Sequence, residues 1–261
     1  MPRWQPAAGR FFFRTRNVLF PAVFIAVALA SLPRAPLGSE RADHAMDLAG
    51  LAVILAGQAL RVAVIGLAYI RRGGSRGRLD ADGLVTTGIF AHARHPLYFG
   101  NMLVYLGLFV VLNSRAGWLL GVPFFFFAYL ALAAAEEAFL EDRFGDAYRD
   151  YRARVPRRFI PRLAGLRATL GSMPFNWRRV IVKECGSTFA WSATFLALLA
   201  WERLARGNDA GVRAVGRRLA ARRPVPDSAG SLHAIILAFA LVSALYALVL
   251  VLKKSGRLGA R

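Results

Sequence analysis

The chain contains a single cysteine, Cys185, in 261 residues. One thiol cannot close an internal disulfide, and it gives no cysteine-based metal site. No metal is expected. Acidic residues are also scarce, with 15 Asp and Glu against 35 Lys and Arg, a formal net charge of +20. In a soluble protein that excess would point to nucleic acid. Here the arginines sit between long apolar blocks, where anionic headgroups and the positive-inside rule account for them. The expected partner is a lipid bilayer, not nucleic acid. Internal repeats are absent too, which sets aside solenoid architectures.

Apolar side chains are abundant, at 56% of residues. They come in blocks rather than amphipathic stripes, unlike an ordinary soluble domain. Residues 48–70 contain only Gln58 and Arg61 as strongly polar members, while 116–135 and 234–252 carry no charge. About 20 helical residues cross a hydrocarbon core of roughly 30 Å, so these three blocks are expected to span. Shorter runs at 17–33, 96–112 and 186–201 lie near the lower limit. The first follows a basic leader and carries Ala28-Leu29-Ala30, as a cleaved signal peptide would. An uncleaved helix suits a chain that crosses several more times. The expected fold is all-α: a polytopic membrane bundle of about five or six transmembrane helices with a cytosolic pocket.

Arginine placement orients the spans. The leader (Arg3, Arg10, Arg14, Arg16), the 71–95 loop and the 136–185 segment are rich in Lys and Arg. The 34–45 loop and the 113–115 turn are poor. The three rich segments are therefore expected in the cytoplasm. At the C-terminal end the arginines of 202–231 and the basic tail (Lys253, Lys254, Arg257, Arg261) fall on opposite sides if 232–252 spans once. Whether 186–201 also spans decides which of them is outside. Residues 222–230 read as a linker.

Asn113-Ser114-Arg115-Ala116-Gly117 is a turn signal, so 96–112 and 116–135 are expected to form an antiparallel hairpin. The hairpin brings the stretch RHPLYFGN, residues 94–101, beside the acidic pair Glu136-Glu137. Arg94 and His95 precede Pro96, which suits a first helical turn because its missing N–H would be unpaired there anyway. Tyr98 and Asn101 follow closely. The N–H groups and dipole of that turn favour an anionic ligand group. Glu136 and Glu137 are expected to close the second helix, where carboxylates oppose the dipole, so a bound cation would explain them. The remainder of 136–161 reads as a charged helix on the membrane surface, with Tyr148 and Tyr151 on one face and VPRRFIP as its stop. Arg61 either snorkels or faces the pocket. His44, His92 and His233 have no partner pattern and are expected at the interface, with Trp118, Trp191 and Trp201 as belt residues.

The series GIFAHARHPLYFGN, a helical hairpin, and then EE followed by FG, two tyrosines and VPRRFIP resembles the isoprenylcysteine carboxyl methyltransferase family and its relatives, the phospholipid N-methyltransferases. The resemblance covers about residues 79–161. It implies a methyltransferase core at 71–161, between N-terminal helices (1–70) and a C-terminal extension (162–261). It also implies a cytosol-facing S-adenosylmethionine pocket that opens toward lipid for a hydrophobic small-molecule or lipidated acceptor. The cofactor-binding residues are then expected to be Arg94, His95, Tyr98, Asn101, Glu136 and Glu137, with Glu137 and Arg94 catalytic. The residue chemistry agrees. Arg94 and His95 suit the cofactor carboxylate, the glutamates suit its ammonium or ribose diol, and Tyr98 suits stacking or a hydrogen bond. A carboxylate acceptor needs no base, whereas an amine must lose a proton that a glutamate can take.

On this reading Glu137→Gln should weaken cofactor binding and barely change stability without it. The competing enzyme class is a nicotinamide-dependent membrane reductase like the sterol reductases, which share the RHP helix mouth. Leu97 and Asn101 depart from that pattern, and the acidic pair favours methyl transfer. The run 128–135 offers no arginine for an acceptor carboxylate. Phe124 to Phe127 are expected to form an aromatic wall for lipid.

Overall fold

The computed structural model describes residues 4–31, 40–67, 83–206 and 229–256. The arginines at 71–78, most of the 202–231 segment with its linker, and the tail beyond 256 lie outside the described residues. Every regular element among the described residues is helical. Helix α1 runs Trp4–Leu29, α2 Glu40–Leu67, α3 Pro96–Leu112, α4 Val122–Phe144, α5 Asp146–Arg154, α6 Leu166–Gly171, α7 Trp177–Arg206 and α8 Ala229–Lys254. Among the described residues, four segments are long and apolar enough to cross a bilayer: Trp4–Leu29, Arg41–Leu67, Gly117–Phe144 and Leu232–Lys254. Helix α3 is a shorter apolar helix. The chain is a multi-pass integral membrane bundle.

The closest pairing is α2 against α3, and glycine is its cause. Gly50 and Gly57 on α2 face Gly107 and Gly100 on α3, each glycine pair seven residues apart. A Cβ on Gly57 would lie 2.6 Å from the Gly100 carbonyl oxygen, and one on Gly50 would lie 2.7 Å from that of Gly107. Small residues at matched intervals let two backbones touch where lipid supplies no hydrophobic drive. The order of contacts, 50 with 107 and 57 with 100, makes the helices antiparallel. Helix α1 packs on α4 through Gly9 against Ala131 and Ala135 and through Phe20 edge-on to Phe125 and Tyr129.

The α3–α4 hairpin forms as expected. Asn113 caps α3 in the left-handed region at φ 40°, and Ser114 Oγ accepts the Gly117 N–H at 2.9 Å. A π-helical turn at Gly117–Gly121 then leads into α4. His95 and Glu137 consequently share one end of the bundle. Two local expectations are corrected. The second helix does not close at Glu136-Glu137 but continues to Phe144, because Ala138, Leu140, Glu141 and Arg143 are good helix formers and no Gly or Pro intervenes before Gly145. Gly145, at φ 51°, breaks it. The glutamates therefore sit more than one turn inside the helix, away from the terminal dipole. For the same reason 136–161 is not one surface helix: it bends at Gly145, and Tyr148 and Tyr151 turn inward and are fully buried.

Helices α7 and α8 form an antiparallel pair. Phe189 stacks on Tyr246 at 4.5 Å, and Lys253 Nζ donates to the Val182 carbonyl at 3.3 Å. The start of α7 and the end of α8 thus lie at the same end as His95. The start of α7 is placed by Phe175, which presses on Gly66 near the end of α2. The run at 186–201 is the middle of a 30-residue helix packed along α2 and α3.

Candidate active site

Residues 92–95 form no helix; they are held by a second strip of chain. The N–H groups of Arg94 and His95 donate to the carbonyls of Arg157 and Arg158, at 3.0 and 2.7 Å. In return Arg162 N–H donates to the His92 carbonyl at 3.1 Å. Tyr151 anchors the strip, its hydroxyl donating to the Phe90 carbonyl at 2.8 Å. The VPRRFIP motif, read from sequence only as a helix stop, is therefore the clasp that sets the Arg94-His95 geometry.

Glu137 lies at the centre of this end. Its side chain is 2% exposed, and two guanidinium groups and an imidazole converge on it. Arg94 donates from Nε and Nη2 at 3.1 and 3.0 Å, and Arg158 from Nε and Nη2 at 3.0 and 2.9 Å. His95 Nε2 stands 3.2 Å away. The remaining Arg94 nitrogen, Nη1, donates to the carbonyls of Val155 and Pro156 at 2.7 and 2.8 Å. Arg94 and Glu137 thus satisfy each other and the clasp. The geometry argues against the expectation that Glu137→Gln barely changes stability, because removing the charge of a buried carboxylate leaves its guanidinium partners uncompensated.

The other ring nitrogen of His95, Nδ1, lies 3.4 Å from a Glu136 oxygen. Burial disfavours the imidazolium, but hydrogen bonds and charge from Glu136 and Glu137 outweigh it and raise the His95 pKa. The ring stacks on Tyr98, nearly parallel, with centroids 5.5 Å apart. Tyr98 in turn bonds to Glu136, whose side chain is partly exposed. Five of the six expected residues thus form one contiguous cluster.

The sixth, Asn101, belongs to a second polar group deeper in the bundle. Arg61 donates to its side-chain oxygen and makes a two-pronged ion pair with Glu184 of α7, at 2.8 and 2.9 Å. Gln58 joins through Thr188 at 3.1 Å and accepts from Trp191 Nε1 at 3.0 Å. The choice left open for Arg61 is settled by this partner: it faces inward. Glu184 was missed because it lies 123 positions away in sequence and carries no motif.

Between the two groups opens a cavity of about 900 Å³. Its polar end is made by Arg16, Asn17, Arg61, Tyr98, Asn101 and Tyr129, and its long apolar part runs between α1 and α7 toward Leu29 and Trp201. Trp191 and Trp201 line it rather than serving only as belt residues. Phe124 to Phe127 do not line it; Phe124 and Phe125 instead pack against Phe20 between α1 and α4. His92 is not a loose interfacial histidine either. It is buried, with Nδ1 2.8 Å from the Arg162 carbonyl and Nε2 2.8 Å from Thr169 Oγ1.

Residues 46–147 match the profile of the family described as Phospholipid methyltransferase. The family resemblance is borne out over this stretch. It takes in α2, the hairpin and the acidic pair, and so begins upstream of the segment that the motifs alone marked. A relative from Schizosaccharomyces pombe, a Protein-S-isoprenylcysteine O-methyltransferase, is 38% identical over 73 residues, 28% of this chain and 31% of that protein. The chain thus aligns with less than a third of that relative's length. No solved structure matches it. Helices α1, α7 and α8, which supply most of the apolar cavity wall, lie outside the matched segment.

Proposed function

We propose that the protein is a membrane methyltransferase that uses S-adenosylmethionine to methylate a lipid or lipidated acceptor. The observation that carries this reading is a juxtaposition. A polar cluster on the helix-mouth motif adjoins a lipid-sized apolar cavity, and Tyr98 belongs to both. The matched profile and the fungal relative both favour methyl transfer over hydride transfer.

The donor set fits the cofactor, with roles adjusted to the geometry. Arg94 and Glu137 act as the frame, since each is engaged by the other and by the clasp. Glu136 is the carboxylate placed to receive an ammonium or a ribose diol, and the His95–Tyr98 stack offers a flat face to adenine. The first turn of α3 has no side-chain cap, which leaves its N–H groups to a carboxylate. When bound, S-adenosylmethionine supplies an electrophilic methyl group. The chain's contribution is to position the acceptor for in-line displacement and keep water out. Where the acceptor is an amine, Glu136 is the base within reach of the cavity end through Tyr98. In this reading the chemistry belongs to residues 71–161 and faces the cytoplasm, and the flanking helices shape the acceptor site.

The test is incubation of purified protein with isotopically labelled S-adenosylmethionine and membrane lipid extract, followed by mass spectrometry. A labelled lipid that depends on Glu136 is expected. No labelled product, together with no calorimetric binding of the cofactor, would overturn the proposal.

A further inference from the structure

Among the described residues, two charged side chains line the cavity, Arg16 of α1 and Arg61 of α2, and they differ electrostatically. Arg61 is neutralised by its two-pronged pair with Glu184. Arg16 lies with its guanidinium 4.3 Å over the Phe13 ring. Among the described residues no carboxylate pairs with it, and the described lining contains neither Asp nor Glu. Arg16 shares the polar end of the cavity with Tyr98 and Tyr129. Asn17 beside it adds an amide to the wall. The polar end is therefore rich in donors and carries one positive charge that has no ion-pair partner among the described lining residues, in surroundings where a charge is costly unless something pairs with it.

The rest of the cavity suits a chain of methylenes. From Arg16 to Leu29 on α1 the wall extends about 20 Å at 1.5 Å per residue. It is faced by Phe20, Phe24, Leu108 and Leu198.

We propose that Arg16 is the headgroup anchor of this cavity, and that its occupant is an amphiphile with an anionic group, carboxylate or phosphate, at Arg16 and an apolar tail along α1 and α7. Arg16 lies outside the matched segment, so this specificity belongs to the N-terminal helix. The occupant is the methyl acceptor only if the reading above holds. Binding itself does not depend on that reading.

Trp191 and Trp201 line the cavity and report occupancy, because bromine quenches nearby indole fluorescence. The full chain, in phosphatidylcholine nanodiscs at mildly alkaline pH, is titrated with a brominated fatty acid, a brominated lysophosphatidate and a brominated monoacylglycerol. At least one anionic probe should quench at a concentration tenfold or more below the neutral one. Preference for the acid, for the phosphate, or for both identifies the headgroup chemistry. In Arg16→Gln that preference should fall by about 10- to 150-fold, the worth of one charge-assisted hydrogen bond. Arg16→Lys, which keeps the charge, should retain most of it. Equal quenching by the neutral probe, or an unchanged anionic preference in Arg16→Gln, would overturn the proposal. Loss of methyl transfer with quenching intact would overturn only the reading it accompanies.

Discussion

Replacing Glu137 by glutamine tests how this end of the bundle is held. The glutamine has almost the same shape but no charge, in a position 1% exposed. Five nitrogens now converge on the carboxylate within 3.2 Å: two from Arg94, two from Arg158 and one from His95. In the variant they face a neutral amide whose NH₂ donates into donors. Removing one partner of a buried pair costs about 3–5 kcal/mol because the opposite charge is left uncompensated. Arg158 is partly exposed and can turn to solvent, so the lower figure, about 3 kcal/mol, applies. At about 2–4 °C per kcal/mol for a chain of this size, Tm should fall by roughly 6–12 °C. The assay is thermal unfolding of detergent-purified protein without cofactor, followed by tryptophan fluorescence. Glu136→Gln serves as the comparison: its side chain is partly exposed and meets His95 at 3.4 Å, so its Tm should fall clearly less than that of Glu137→Gln. If Glu137→Gln unfolds at the wild-type temperature, Glu137 is not the hub of the clasp. Its charge would then be free for a ligand.

Two further outcomes follow from the same geometry. The raised pKa of His95 means that its imidazolium contributes stability fully below the unfolded-state pKa, and that this contribution is lost as pH rises through the folded-state value. The Tm of wild type should therefore decline across that window relative to His95→Gln, and parallel profiles would refute it. For topology, α7 and α8 return the chain to the end that holds the clasp, so that end collects Arg178, Arg179, Lys183, Lys253 and Lys254 and should be cytoplasmic. In a Cys185→Ser background, single cysteines at Ala153 and Lys254 should both resist an impermeant thiol reagent applied outside intact cells. Labelling of either one refutes the arrangement.

Most of the apolar helices, the hairpin and the neighbourhood of RHPLYFGN and the acidic pair were legible from chain order alone. These rest on local causes: apolar length against bilayer thickness, a turn at Asn113 and Pro96 at a helix start. The pairing of α2 with α3 was not read from the sequence, since glycines seven apart on each helix do not name their partner. What the tertiary structure decided is which charges neutralise which. Glu137 looked like a ligand for a cation because Arg158, 21 residues on, comes back to it only after the break at Gly145. Arg61 could not be placed until α7 brought Glu184 beside it. The cavity is likewise invisible in sequence, because its walls come from helices near both ends of the chain and its polar end joins α1 to the helix mouth. Apolar periodicity and chain stiffness act over one or two turns. Electrostatic pairing depends on distances in space, which the chain order does not encode.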